Sequence, residues 1–348
     1  MPSRLESVAP AERRAMAIRI GLGQLQSLSR EDAAFARQLG LTTIQLNTPA
    51  LPGEDGLWHE ADLRRLRDDI AAEGLTLEAL ENVPIGFYDK VMLGQPGWED
   101  QLERYRATIR NVGAAGIGLL GHHFMPTFVW RTSLETLGRG GALVSSFDAD
   151  LVRYGNRVDY PQAPPTEQVT LEEMRVNYGR FLDATLSVAE AAGVRLALHP
   201  DDPPVPAIGG VARLFDSPEA LGWAMERSNG SPAWGMDLCL GTVSEMVGGP
   251  DAVSRAIDLL GPAGKIFYVH FRQVMGTVPR FQEAFLGEGS YAPAQVLRHL
   301  IEVGFDGFLL DDHVPHMTGD TPYGHRARAH AIGYMQGLLE ALATGGAR

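Results

Sequence analysis

Four apolar runs in the second half of this 348-residue chain end on side chains that can bind a metal ion or move a proton. The first is Val194-Arg-Leu-Ala-Leu-His199-Pro-Asp-Asp-Pro-Pro204; the others are Met236-Asp237-Leu238-Cys239, Tyr268-Val269-His270-Phe271-Arg272 and Phe308-Leu309-Leu310-Asp311-Asp312-His313. An apolar run without clean alternation reads as a buried parallel strand, and the prolines after His199 forbid its continuation. Taken singly the signals are weak. A lone histidine at a strand end is as often a hydrogen-bonded core residue, and a lone cysteine is most often a small buried hydrophobe. A carboxylate after Phe-Leu-Leu is harder to dismiss, because it must be paired, solvated or bound to a metal. Jointly His199, Cys239, His270 and Asp312 make a four-ligand set whose thiolate, imidazoles and carboxylate suit Mn²⁺, Fe²⁺, Co²⁺ or Zn²⁺. Spacing does not choose among these ions.

Other candidates surround that set. His313 follows Asp312, and neighbouring side chains of an extended chain point different ways, so His313 suits acid–base work. Tyr323 lies in the turn Thr321-Pro-Tyr-Gly324, where a tyrosine more often packs on the surface. Arg272 and Arg131 are the cations best placed to meet an anionic substrate, although each could equally be paired within the protein. Asp201 and Asp202 could orient His199 or cap the loop.

These residues need a frame that gathers strand ends. Residues 18–23, 43–46, 75–80 and 117–120 read as further strands, with amphipathic helical stretches between them. A capping-box pattern, Thr170-x-x-Glu173, opens a long helix to residue 192. Eight strand–helix units follow one another without a linker, which is most economically closed as a single (β/α)₈ TIM barrel over residues 18–348. An open doubly wound sheet competes, but no glycine-rich phosphate loop follows any strand. Residues 1–17 are expected to be an N-terminal extension. Residues 127–167, rich in Gly, Ser and Pro, are expected to form an irregular insertion after strand four and a candidate lid. In a barrel the active site lies at the C-terminal ends of the strands, where the ligands fall.

The net charge of −13 argues against a nucleic-acid partner, which needs a basic face. No stretch reaches the length of a membrane span, and the first 17 residues lack the apolar region of a signal peptide. The single cysteine excludes an internal disulfide and fits a reducing, cytoplasmic setting. The expected partner is a small molecule, with a homo-oligomer allowed.

From about residue 18 onward the chain resembles the mannonate dehydratase family of xylose-isomerase-like TIM barrels. The segments that carry the likeness are Glu81-Asn-Val-Pro84, Lys90-Val-Met-Leu-Gly94, Tyr105-x3-Ile109-Arg-Asn111, Phe124-Met-Pro126 with Trp130-Arg-Thr132, His199-Pro-Asp-Asp-Pro-Pro204, Leu238-Cys239-x-Gly241, Val269-His270-x-Arg272 and Asp312-His313. The resemblance implies one Mn²⁺ on His199, Cys239, His270 and Asp312, and proton transfer by His313 and Tyr323. It implies removal of water from a six-carbon sugar acid to give a 2-keto-3-deoxy acid, with Arg272, Arg131, His123 and Trp130 expected to bind the substrate. Departures fall on substrate-facing positions. Val314-Pro315 stands where the family usually has Gly-Arg, Val129 and Phe285 replace an Asp and a His, and Gly121-His122-His123 stands where a Tyr-Asn pair is common. The alternative on the same barrel is a metal-dependent sugar isomerase or epimerase, which needs no carboxylate clamp.

Overall fold

In a computed structural model that describes residues 10–152 and 168–344, the apolar runs form eight parallel strands closed into a barrel. In chain order these are β1 (Arg19–Leu25), β2 (Thr43–Asn47), β3 (Thr76–Glu81), β4 (Leu119–His122), β7 (Arg195–Leu198), β10 (Trp234–Cys239), β11 (Ile266–His270) and β14 (Phe308–Leu310). Strands β10 and β11 are buried at every position, as expected for strands covered on both faces. The TIM-barrel expectation is met, and β14 pairs with β1 to complete the ring.

The helices are α1 (Pro10–Ala17), α2 (Arg30–Gln38), α3 (Glu60–Ala72), α4 (Asp89–Leu93), α5 (Trp98–Ala114), α6 (Leu171–Ala192), α7 (Pro218–Arg227), α8 (Leu240–Glu245), α9 (Pro250–Leu260), α10 (Pro293–Glu302) and α11 (His325–Ala343). Capping boxes start α2 at Ser29 and α6 at Thr170, so both helix starts are set locally before any packing. Helix α5 buries Leu102, Tyr105, Ile109 and Val112, a stripe at helical spacing turned toward the strands. The expected N-terminal extension is helical over α1, which packs against α11 and buries Ala15. Among the described residues no helix is long and apolar enough to cross a membrane.

The segment expected to be irregular after β4 is partly regular. It forms β5 (Ser133–Leu137) and β6 (Leu143–Asp148), while the stretch after β11 folds into the hairpin β12 (Gln273–Thr277) and β13 (Arg280–Ala284). The four strands make one antiparallel sheet in the order β12-β13-β6-β5, joining two excursions far apart in sequence. A short hairpin, β8 (Ala207–Ile208) and β9 (Val211–Ala212), follows the proline-rich run. The side strands were hard to foresee because each is short and their pairing is non-local, so local pattern carries little of their stability. Residues 153–167 of the expected lid lie outside the described residues.

Candidate active site

The barrel register delivers the four expected ligands to one place. Cys239 pairs with His270 across β10 and β11, and His270 pairs with Leu310, two residues before Asp312. One ligand atom from each of His199, Cys239, His270 and Asp312 lies within 4.8 Å of the others, and all four residues are buried. Polar groups surround their remaining atoms. His199 Nδ1 lies 2.6 Å from the Pro200 carbonyl, which leaves Nε2 for an ion. His270 Nε2 faces Glu81 Oε2 at 3.2 Å and Asp237 Oδ2 at 3.4 Å, while Nδ1 lies 3.8 Å from Asp312 Oδ2. The Asp312 carboxylate accepts a 2.7 Å bond from Arg272 Nε. Imidazoles backed by outer carboxylates and a carbonyl are what orients a metal centre, so the donor set fits a divalent ion.

Electrostatics prepare the same atoms. Burial pushes the Cys239 thiol up, but the Arg272 guanidinium and hydrogen bonds with His199 and His270 outweigh it and bring the thiol down to about 5. Burial disfavours charge on His199 too, yet the adjoining Cys239 thiolate raises it to about 10. A divalent ion replaces a proton in such a site and meets a ready thiolate. Cys239 also caps α8, accepting from Thr242 N at 3.4 Å. At Gly241 an added Cβ would lie 2.4 Å from Arg272 Nη1, so only glycine lets the guanidinium approach this turn.

Above the centre opens a cavity of about 600 Å³, lined by His199, Asp312, His313 and Tyr323 among others. His313 Nδ1 lies 3.0 Å from Glu283 Oε1. Burial opposes its charge, but Asp312 and the bond to Glu283 raise it above the ordinary histidine value. Tyr323 donates its hydroxyl to the Gly23 carbonyl at 2.7 Å, and Arg328 stacks on its ring at 4.3 Å. His123 lines the cavity, its Nδ1 accepting from Met125 N at 3.1 Å.

Three expected substrate residues sit elsewhere. Arg131 and Arg272 are buried beneath the cavity and do not line it. Arg131 forms a two-pronged pair with Asp202 and reaches Glu283 at 3.1 Å. Arg272 meets Asp202 at 2.8 Å, Glu245 at 2.9 Å and Glu283 at 3.0 Å. A guanidinium in a water-poor interior must be matched by carboxylates, and these claim both arginines before a substrate can. Trp130 is likewise not in the cavity wall. It packs with Phe147, Val205, Ile208, Val274 and Phe281 under the side sheet. Of the paired aspartates, Asp202 joins the arginines, whereas Asp201 accepts from Leu214 N and Phe215 N and ties down the loop. Val129 and Val314 do line the cavity, but Phe285 is turned toward His330 outside it.

A polar wall at the ends of β1, β2 and β3 completes the cavity. Gln24, Asn47, Thr48, Glu81 and Asn82 all face the cavity. Glutamine and asparagine are common at loop starts, so no local signal in the sequence marks them; Glu81-Asn82 stands out there only as part of a family segment.

Residues 22–347 match the sequence profile of the D-mannonate dehydratase (UxuA) family. Mannonate dehydratase of Lactococcus lactis subsp. cremoris strain MG1363 is 28% identical, over 87% of this chain and 91% of that protein. Mannonate dehydratase 2 of Halalkalibacterium halodurans is also 28% identical, over 83% and 89% of the two chains. The crystal structure of mannonate dehydratase from Streptococcus suis serotype 2 superposes with a TM-score of 0.81 at 24% identity, covering 95% of this chain and 96% of that one. D-psicose 3-epimerase of Clostridium cellulolyticum H10 shares the fold alone, with a TM-score of 0.56 at 12% identity over 94% and 96% of the chains. With nearly the whole barrel matched, this chain belongs to the D-mannonate dehydratase (UxuA) family.

Proposed function

We propose that the cavity removes water from a sugar acid to give a 2-keto-3-deoxy acid, with one Mn²⁺ held by His199, Cys239, His270 and Asp312. The observation that carries this reading is the convergence of those four ligand atoms, within 4.8 Å, at the floor of a cavity that also holds His313. A proton α to a carboxylate is weakly acidic, and the bound ion would supply the positive charge that stabilises enediolate-like charge on the carboxylate and 2-hydroxyl. His313 and Tyr323 carry the proton transfers. One takes the C2 proton and the other protonates the departing 3-hydroxyl. Glu283 holds His313 Nδ1, turning the other ring nitrogen toward the Asp312 side at 3.8 Å. Tyr323 must release the Gly23 carbonyl to take part.

The apolar Val129 and Val314 in the cavity wall bear on the substrate. A polar substrate that leaves a hydrogen bond unmade loses about 1–3 kcal/mol, or about tenfold to a hundredfold, for each. D-mannonate is therefore expected to be a poor substrate, and a related or less anionic sugar derivative a better one. The test is a panel of sugar acids and neutral sugars incubated with the Mn²⁺-loaded protein, followed by mass spectrometry for loss of water. A kcat/KM on D-mannonate of about 10⁴ M⁻¹s⁻¹ or more would return the substrate to D-mannonate itself. Isomerised sugars without water loss would point to the isomerase or epimerase alternative, and no loss of water from any sugar acid would end the dehydratase reading.

A further inference from the structure

Five non-glycine residues among those described have left-handed backbone: Gln24 (φ 60°), Thr48 (φ 45°), Asn82 (φ 62°), Phe128 (φ 59°) and Asn229 (φ 51°). The first four line the cavity. Such conformations are strained for residues with a side chain and persist where the surroundings impose them, commonly at ligand sites. Gln24, Thr48 and Asn82 stand at or just past the ends of three adjacent strands, and an irregularity in β1 between Leu22 and Leu25 turns Gln24 into the cavity.

One buried carboxylate organises the wall. Glu81 is 4% exposed and receives the amide groups of Gln45, of Gln24 at 3.1 Å and of Asn47 at 3.3 Å. A carboxylate only accepts, so each of these amides must present its NH₂ to it. Asn47 also donates to Gln24 Oε1 at 2.8 Å, which leaves its own oxygen to accept from Thr48 Oγ1 at 3.0 Å and from Asn82 Nδ2 at 3.4 Å. The chain of bonds ends on Asn82 Oδ1, a buried acceptor without a hydrogen-bond partner. A carboxylate placed here would be repelled by Glu81, and Glu81 is already saturated by amides. The chemistry that satisfies this wall is a neutral donor that also accepts, which is a hydroxyl. Glu81 lies 3.2 Å from His270 Nε2, so the wall adjoins the ligand cluster.

We propose that the ends of β1, β2 and β3 form a subsite for the hydroxylated tail of the sugar acid, in which Gln24, Asn47, Thr48 and Asn82 bind hydroxyls beyond C3. Glu81 is a positioning residue that fixes the amides. The proposal rests on the dehydratase reading for the placement of C1 to C3 at the ion.

The experiment is calorimetric binding to Mn²⁺-loaded protein in which His313→Asn slows turnover of the titrated acid, and this background stands as the wild type for Gln24, Thr48 and Asn82. The probes are the six-carbon aldonate that binds best and the four-carbon aldonate of the same configuration at C2 and C3 (for D-mannonate, L-erythronate). The wild type is expected to prefer the longer acid by about tenfold or more. Asn82→Gly keeps the left-handed backbone while removing the amide, and should bring that preference to within about threefold while leaving the affinity for the four-carbon acid unchanged. Thr48→Gly should shift it in the same direction. Metal content and melting temperature report the fold. The proposal is overturned if the wild type shows no preference, if both variants keep it, or if they weaken both acids equally. Absence of dehydration by the protein with His313 in place, alongside the length preference, would overturn the dehydratase reading and leave the subsite standing.

Discussion

The two halves of the barrel rim are built on opposite electrostatic plans. On β7, β10, β11 and β14 the strand ends concentrate ionisable groups whose protonation is far from ordinary, with a depressed thiol at Cys239 and a raised imidazole at His199. On β1, β2 and β3 the rim is a set of neutral amides around the single carboxylate of Glu81. The first half sets a thiolate and a carboxylate against raised imidazoles and a guanidinium around one point where a divalent ion fits. Among the described residues the second half is nearly self-satisfied, with left-handed backbone at Gln24, Thr48 and Asn82 and with Asn82 Oδ1 lacking a donor. One half is thus expected to respond to metal and the other to substrate shape.

The largest effects should fall on the ionic half. Cys239→Ser removes the thiolate and is expected to weaken metal affinity by more than the about 10–100-fold typical of losing an outer partner, with turnover lost alongside. Elemental analysis and metal titration of the purified variant decide this. Full occupancy with unchanged affinity would remove Cys239 from the ligand set and dissolve the contrast between the halves. Next in size, His313→Asn and Tyr323→Phe should lower kcat by about 10²–10⁴-fold, the range of acid–base catalysis, while metal content stays at the wild-type level. Loss of metal from His313→Asn would make His313 a ligand instead.

Between the halves and below them lies the arginine layer. Arg131→Met leaves Asp202 and Glu283 with one counter-ion fewer in a buried setting. Breaking a buried pair from one side costs about 3–5 kcal/mol, so chemical denaturation should show that loss. A rise in KM with unchanged stability would instead return Arg131 to the substrate.

Legibility followed the same division. His199, Cys239, His270 and Asp312 were visible in sequence because their types are uncommon at the ends of apolar runs and buried charge demands a reason. The eight barrel strands and the capping box at Thr170 were set by local pattern, which sequence carries well. Arg131 and Arg272 lie on carboxylates and not in the cavity wall, and sequence does not show this because an arginine near a site says nothing about which carboxylate reaches it first. Their partners Glu245 and Glu283 come from other elements and meet them only through the barrel and side sheet. Gln24, Asn47 and Asn82 were missed because an amide gains its meaning from the hydrogen-bond chain it joins.

The smallest predicted effect concerns a histidine at the seam between the halves. His122 ends β4, as His270 ends β11, yet its ring turns outward among Tyr178 and Phe181. Both ring nitrogens are buried without hydrogen-bond partners, and burial lowers His122 from its ordinary 6.5 to about 3. The folded protein therefore keeps this ring neutral where the unfolded chain would protonate it. Between pH 6.5 and 3 the unfolded state binds more protons, so this residue's contribution to stability is complete above pH 6.5 and falls by about 1.4 kcal/mol per unit as pH drops through that window. His122→Phe fills the same aromatic niche without a titrating nitrogen. Urea unfolding at pH 7.5 and 5.5 should show the wild type losing about 1.4 kcal/mol more than His122→Phe over that interval. Equal losses would mean that His122 reaches solvent or a partner when protonated.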